Sequence, residues 1–171
     1  MAEKQHFMHY LKVLQRCPDA QAIIAGSPDY PNIRGLVRFY QTGGGVLVAA
    51  EVSGLPTSER RCDSEIFAFH IHCGERCTGN REDPFANARE HYNPERCPHP
   101  AHAGDLPPLF SNGGYALQAV LTDRFTVREI IGRTVIIHDG PDDFTSQPAG
   151  NAGARIACGV IRKTSCRRII A

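Results

Sequence analysis

No apolar run in the 171-residue chain approaches the roughly 20 residues that span a bilayer, which argues against a transmembrane helix. Charge of one sign is not in excess either. Lys and Arg number 19 against 18 Asp and Glu, so no field of the kind that gathers nucleic acid or an anionic membrane is expected, and neither is counted as a partner. The start, MAEKQHFMHYLKVLQRC, lacks the apolar core and small-residue cleavage site of a signal peptide. As written, the chain is expected to be cytoplasmic, or periplasmic or extracellular where an export signal has been removed. Internal repeats are missing too, and a chain of this length forms one domain that can bury enough apolar surface to fold without crosslinks. Cysteine pulls the other way. Residues Cys17, Cys62, Cys73, Cys77, Cys97, Cys158 and Cys166 make an odd count, which leaves at least one thiol without an internal partner.

What is present falls into two textures. Phe7, Leu11 and Leu14 recur at helical spacing, with Met8, Tyr10 and Val13 alongside, which predicts a short amphipathic helix over 3–16, ended by Pro18. From Ala20 onward short apolar runs alternate with turn residues. AQAIIAG, IRGLVRFYQ, VLVAAEVSGLP, EIFAFHIH, YALQAVLT, GRTVIIH and ARIACGVI have strand length, and clusters such as SPDYPN and TGGG separate them. Only FTVREIIG competes as a helix, and it is too short to found a helical domain. The pattern is that of an all-β, antiparallel sandwich or barrel. Two strand-poor excursions interrupt it, from Cys73 to about Asn112 and from Asp139 to about Asn151. Loops longer than about 12–15 residues are usually functional or disordered, and these carry His, Cys, Asp, Gly and Pro in place of filler.

Six of the eight histidines, His70, His72, His91, His99, His102 and His138, lie at the end of a predicted strand or inside the first excursion. A strand sends alternate side chains to one face, so His70 and His72 point the same way and can offer two imidazoles to one metal. The run HYNPERCPHPAHAGD adds three histidines and Asp105, and three imidazoles with one carboxylate can close a tetrahedral zinc site. Its prolines restrict the backbone and lower the cost of bringing ligands together. A rival arrangement is a zinc knuckle of Cys73, Cys77, Cys97 and His99 or His102, which would leave His70, His72, His91 and His138 without a role.

The motifs FHIH, HYNP followed by a further His and then HAGDL, IIGRTVIIHDGPDD and GNAGARIACGVI, in this order, resemble the copper-zinc superoxide dismutases, especially the bacterial type. The resemblance covers roughly 20–161. It leaves a helical extension over 1–19 and a basic tail over 162–171, which is taken as a solvated end. It implies an eight-stranded antiparallel Greek-key β-barrel, an immunoglobulin-like sandwich, with two long loops holding the metals. It places copper on His70, His72, His91 and His138, and zinc on His91, His99, His102 and Asp105, with His91 shared. It makes Arg155 the residue that attracts the superoxide anion, His91 the proton carrier, Asp142 the carboxylate joining a copper histidine to a zinc histidine, and Cys77–Cys158 the disulfide. Copper and zinc ions are the implied cofactors, superoxide the implied substrate, and a homodimer is one assembly it admits.

Three departures accompany the resemblance. The segment between His138 and Cys158 is shorter than in typical members and has no Lys or Arg before Arg155, which implies a more open copper site. Cys73 stands where the family usually has an acidic or polar residue, so it is an alternative disulfide partner or a free thiol, and Cys97 is a stray candidate for coordination. Cys17, Cys62 and Cys166 have no counterpart and default to buried thiols. The alternative to an enzyme is a relative of the fold that buffers or delivers copper or zinc with little turnover; a third reading is a structural module that binds zinc alone.

Overall fold

A computed structural model of the chain describes residues 2–58 and 65–165, with the backbone alone for residues 2–8. After helix α1 (Ala2–Gln15) come strands β1 (Ala20–Gly26), β2 (Arg34–Thr42), β3 (Gly45–Ser53) and β4 (Ile66–His72). Strands β5 (Asp105–Phe110) and β6 (Tyr115–Thr122), the one-turn helix α2 (Val127–Ile130), and strands β7 (Thr134–His138), β8 (Arg155–Val160) and β9 (Arg162–Lys163) follow. Each apolar run expected to be a strand is one.

The main strands form an antiparallel ladder in the order β5-β4-β7-β8-β1-β2-β3-β6, with the short β9 added to β1. Neither β3 and β4 nor β6 and β7 are neighbours in the ladder, so the chain crosses the barrel ends in the Greek-key manner. Across the remaining gap, Gln118 Nε2 on β6 donates to the Pro107 carbonyl on β5 at 3.0 Å. The result is a nearly closed eight-stranded barrel. Its interior is filled by alternate residues of facing strands, among them Phe39, Phe69, Ile71, Leu109, Val135, Ile137 and Ile156, all without exposed surface.

β5 shortens the first excursion to residues 73–104. DLPPLF is hard to see as a strand because two prolines remove two ladder donors, but β5 is the last strand of the ladder, where proline is tolerated. Pairing shifts between Phe67 and Phe69, so Pro107 and Pro108 together oppose Ala68. Ala68 donates instead to the Gly140 carbonyl at 2.7 Å, which pins the start of the second excursion to β4. That excursion runs to residue 154. α2 falls within FTVREIIG, and its first turn is closed by Glu129 Oε2, which accepts from Thr126 N at 2.6 Å and Thr126 Oγ1 at 2.7 Å.

α1 docks on the outside of the barrel by a face different from the expected one. Val13 is buried against Tyr40, Leu47 and Ala49, with Tyr10 and Leu14 beside it, whereas Leu11 is 40% exposed. The apolar contact thus follows the i, i+3, i+4 spacing of 10, 13 and 14. Arg16 fixes the helix end, donating to the Gln41 carbonyl at 2.6 Å and pairing with Asp19 at 3.0 Å. Cys17 is exposed and disulfide-bonded, which corrects its reading as a buried thiol. Cys62, Cys166 and most of the basic tail lie outside the described residues.

The docking contact is separate from the barrel core, so it can be broken on its own. Val13→Asp is expected to lower the unfolding free energy in urea by about 2 kcal/mol and to raise amide exchange in α1 while strands β4, β7 and β8 keep their protection. Loss of protection throughout the barrel would contradict this.

Candidate metal centre

β4 sends Phe67, Phe69 and Ile71 into the barrel and His70 and His72 to its outer face. That face does not meet water. The first loop lies over it, packing Phe85 and Ala88 on Ile136 of β7 and Cys158 of β8. Burial on both faces explains why these strands are continuously apolar apart from their histidines. The loop is sewn to the end of β4: Tyr92 N donates to Ile71 O at 2.8 Å, Ile71 N to Gly104 O at 2.9 Å and Gly104 N to Tyr92 O at 2.8 Å. His91 is thereby paired opposite His72. A register shift between Ile137 and His138 ends β7 with the His138 ring beside them.

Two groups of side chains result, His70, His72, His91 and His138 in one and His91, His99, His102 and Asp105 in the other, each with its ligand-type atoms within 4.8 Å of one another and every member buried. Hydrogen-bond partners decide which ring nitrogens stay bare. His72 Nδ1 donates to the Arg89 carbonyl at 2.7 Å and His138 Nδ1 to the Gly153 carbonyl at 3.1 Å, because a carbonyl only accepts. Both Nε2 atoms are therefore lone pairs, and they face each other at 3.4 Å. His70 Nε2 donates to Asp142 Oδ2 at 2.8 Å, leaving its buried Nδ1 without a partner, and His91 Nε2 is likewise buried and unpartnered. Four bare nitrogens converging among buried side chains make a donor set that suits a cation.

The second group shows the same crowding. His91 Nδ1 lies 2.7 Å and His102 Nδ1 3.3 Å from Asp105 Oδ1. His99 Nδ1 is 3.0 Å from Asp105 Oδ2 but outside hydrogen-bonding geometry, and it counts as unpartnered. Its other nitrogen, Nε2, donates to Asp142 Oδ1 at 2.9 Å. Asp142 thus spans the two groups, holding His70 by one oxygen and His99 by the other. Four imidazole nitrogens suit copper, and three imidazoles with a carboxylate suit zinc, so the donor sets fit both ions.

Electrostatics keeps the donors in their ligating forms. Burial, reinforced by the charge of neighbouring His70, lowers the pKa of His138 to about 3, and burial first of all lowers His70, His72 and His102 as well. Burial alone would raise Asp142, but hydrogen bonds from His70, the Phe144 backbone N–H and His99 outweigh it and hold the carboxyl well below its usual range. Asp105 is lowered in the same way, burial being outweighed by its contact with His91.

Arg155, the first residue of β8, reaches across to the first loop. It donates to Phe85 O at 2.9 Å and Arg89 O at 2.6 Å, and pairs with Asp83 at 3.1 Å. With His72, His91 and His138 it lines a cavity of about 420 Å³ whose far wall is Pro148 and Ala149. Cys77 and Cys158 form a disulfide with Cα atoms 5.6 Å apart. Closing a separation of 81 residues stabilises by about 4 kcal/mol in the chain-entropy model. Cys73, one residue past His72, turns to the opposite side and packs against the barrel core as a free thiol. Cys97 is also free and belongs to neither donor group. These placements dismiss the zinc knuckle and the alternative pairing through Cys73.

Three supporting residues have no role assigned from the sequence, although Gly150 opens the motif GNAGARIACGVI. Gln147 clamps the backbone of His99, accepting from its N–H at 3.0 Å and donating to its carbonyl at 2.7 Å. Arg124 Nη1 gathers the carbonyls of Pro100, His102 and Asp105 at 3.1, 3.3 and 3.2 Å. Gly150 sits at φ +67°, and a Cβ there would collide with Asp142 Oδ1. Only the folded arrangement reveals them.

A Greek-key barrel carrying two histidine-rich donor groups that share one imidazole is a scaffold that could hold two metal ions side by side. The family model described as copper/zinc superoxide dismutase (SODC) matches residues 33–161, and the chain belongs to that family. It is 36% identical over 143 residues to "Superoxide dismutase [Cu-Zn] 2" of Aquifex aeolicus, covering 75% of this chain and 78% of the relative. It is 33% identical over 142 residues to "Superoxide dismutase [Cu-Zn]" of Photobacterium leiognathi, with the same coverage of 75% and 78%. The solved structure of Cu/Zn superoxide dismutase from Brucella abortus superposes with a TM-score of 0.69 at 26% identity, over 82% of this chain and 98% of that one.

Two outcomes follow from the geometry. Asp142→Ala is expected to weaken the affinity for both metals by about 10- to 100-fold in chelator competition, because the carboxylate orients one ligand of each group; a loss confined to one metal would show that the bridge does not couple them. For the metal-free protein, the unfolded chain takes up protons near pH 6.5 while folded His138 resists until about pH 3. More protons are then bound by the unfolded state, so stability is full above pH 6.5 and lost as pH falls towards 3, and the Tm should drop through this window. A flat profile there would mean that the histidines are not held neutral.

Proposed function

We propose that this chain converts two superoxide anions and two protons into oxygen and hydrogen peroxide at the cavity formed by His72, His91, His138 and Arg155. The observation that carries the reading is the convergence of four bare, buried imidazole nitrogens beside a second group sharing His91. His70 Nδ1 and the Nε2 atoms of His72, His91 and His138 would hold copper; the Nδ1 atoms of His91, His99 and His102, with Asp105, would hold zinc. Copper there would supply one-electron redox chemistry, and zinc a fixed positive charge.

The protein's own groups do the rest. Arg155 draws the anion into the cavity and orients it, an electrostatic role strengthened by partial exclusion of water. Its contacts with Phe85 O, Arg89 O and Asp83 hold the guanidinium in place for this purpose. His91 Nε2, when not engaged by copper, would carry a proton and hand it to the peroxide product, while Asp105 keeps the ring oriented through Nδ1. Asp142 fixes His70 and His99 in the tautomers that leave their Nδ1 atoms bare. The Cys77–Cys158 crosslink and the bonded state of Cys17 favour an oxidising compartment. No helix among the described residues is long and apolar enough to cross a membrane.

His138→Ala tests the assignment. The variant should retain zinc, lose copper and fall in dismutation by at least about a hundredfold. Full activity would sink the copper assignment, and a wild-type protein that binds one copper and one zinc yet shows no turnover would favour a metal-buffering role.

A further inference from the structure

A second cavity, of about 400 Å³, is lined by Cys73, Glu75, Arg76, Asn87, Arg89 and Arg133, none of which belongs to either donor group. It holds three guanidinium groups and one carboxylate. Among the described residues none of the three arginines forms an ion pair. Arg133 is positioned by its neighbours: it donates through Nη1 to the Cys73 carbonyl at 2.6 Å and its guanidinium lies 5.6 Å from the Tyr92 ring centroid. That hydrogen bond occupies one of five donors, and the planar fork is suited to oxyanions. Arg76 and Arg89 are exposed and make no side-chain hydrogen bond among the described residues. Three guanidinium groups gathered with the single carboxylate of Glu75 leave the lining positive, and an anion of more than one charge relieves the remaining repulsion.

We propose that this cavity is a binding site for a phosphate-class oxyanion, held by Arg76, Arg89 and Arg133 and separate from the metal centre. The two are physically linked, since the carbonyl of Arg89 accepts from His72 Nδ1 at 2.7 Å and from Arg155 Nη2 at 2.6 Å. Residue 89 itself sits at φ +63°, a conformation held by these surroundings. An oxyanion on the Arg89 side chain therefore tethers the residue that orients both.

The test titrates the full-length, metal-loaded protein with inorganic phosphate at constant ionic strength set with sodium chloride, reading calorimetric binding and the rise in Tm. Wild type and Arg155→Gln should bind alike, while the double variant Arg76→Gln, Arg89→Gln, altered only at exposed side chains, should bind at least about tenfold more weakly and lose the Tm shift. A phosphomonoester titrated in parallel separates the sources: tighter binding than inorganic phosphate assigns the site to a phosphorylated small molecule, weaker binding to free phosphate. Undiminished binding by the double variant, loss of binding in Arg155→Gln, or no saturable binding by wild type would each overturn the proposal.

Discussion

One buried carboxylate joins the two halves of the centre. Asp142 receives His70 from strand β4 on one oxygen and His99 from the first loop on the other, at 2.8 and 2.9 Å. It sits in the second loop, so three segments far apart in sequence meet at a single side chain. A buried carboxylate survives only where hydrogen bonds replace its lost hydration, and here the two imidazoles and the Phe144 amide do so. In accepting those bonds it fixes the tautomers of His70 and His99 and leaves their other nitrogens bare within the two donor groups. Gly150 is needed beside it because no side chain would fit.

The barrel supplies the rigidity that such a centre requires. β4, β7 and β8 are buried inside by the core and outside by the first loop, so their histidines are held by packing on both faces. The disulfide from Cys77 to Cys158 fastens that loop three residues from Arg155. Arg155 in turn reaches back to the loop carbonyls at residues 85 and 89. Loop, strand and cavity wall are thus one mechanical unit that holds the donor side chains together.

Much of this is legible in the sequence. Strand alternation put His70 and His72 on one face, and the apolar runs marked seven of the eight main strands. The eighth, DLPPLF, was hidden because its two prolines deny the ladder signal, and only its place at the end of the ladder makes it a strand. The helix was evident, but its docking face was not: periodicity favoured Leu11, and packing against Tyr40, Leu47 and Ala49 selected Val13. Cys73 and Cys77 were both open to Cys158, and the alternation of sides past His72 decided between them. Arg124 and Gln147 bind backbone carbonyls and amides, groups that every residue has, so no residue pattern could mark them.

The sequence by itself determined the donors, the order in which they arrive and the family they belong to, because ligand chemistry and strand period are properties of residue type and spacing. The tertiary structure decided which nitrogen of each imidazole stays bare, since that depends on the carbonyl or carboxylate facing the other nitrogen. It also decided that three arginines scattered from 76 to 133 line one cavity with Glu75 as the single carboxylate among them. Both are matters of which groups become neighbours when the chain closes, and closure is a property of the packed barrel alone.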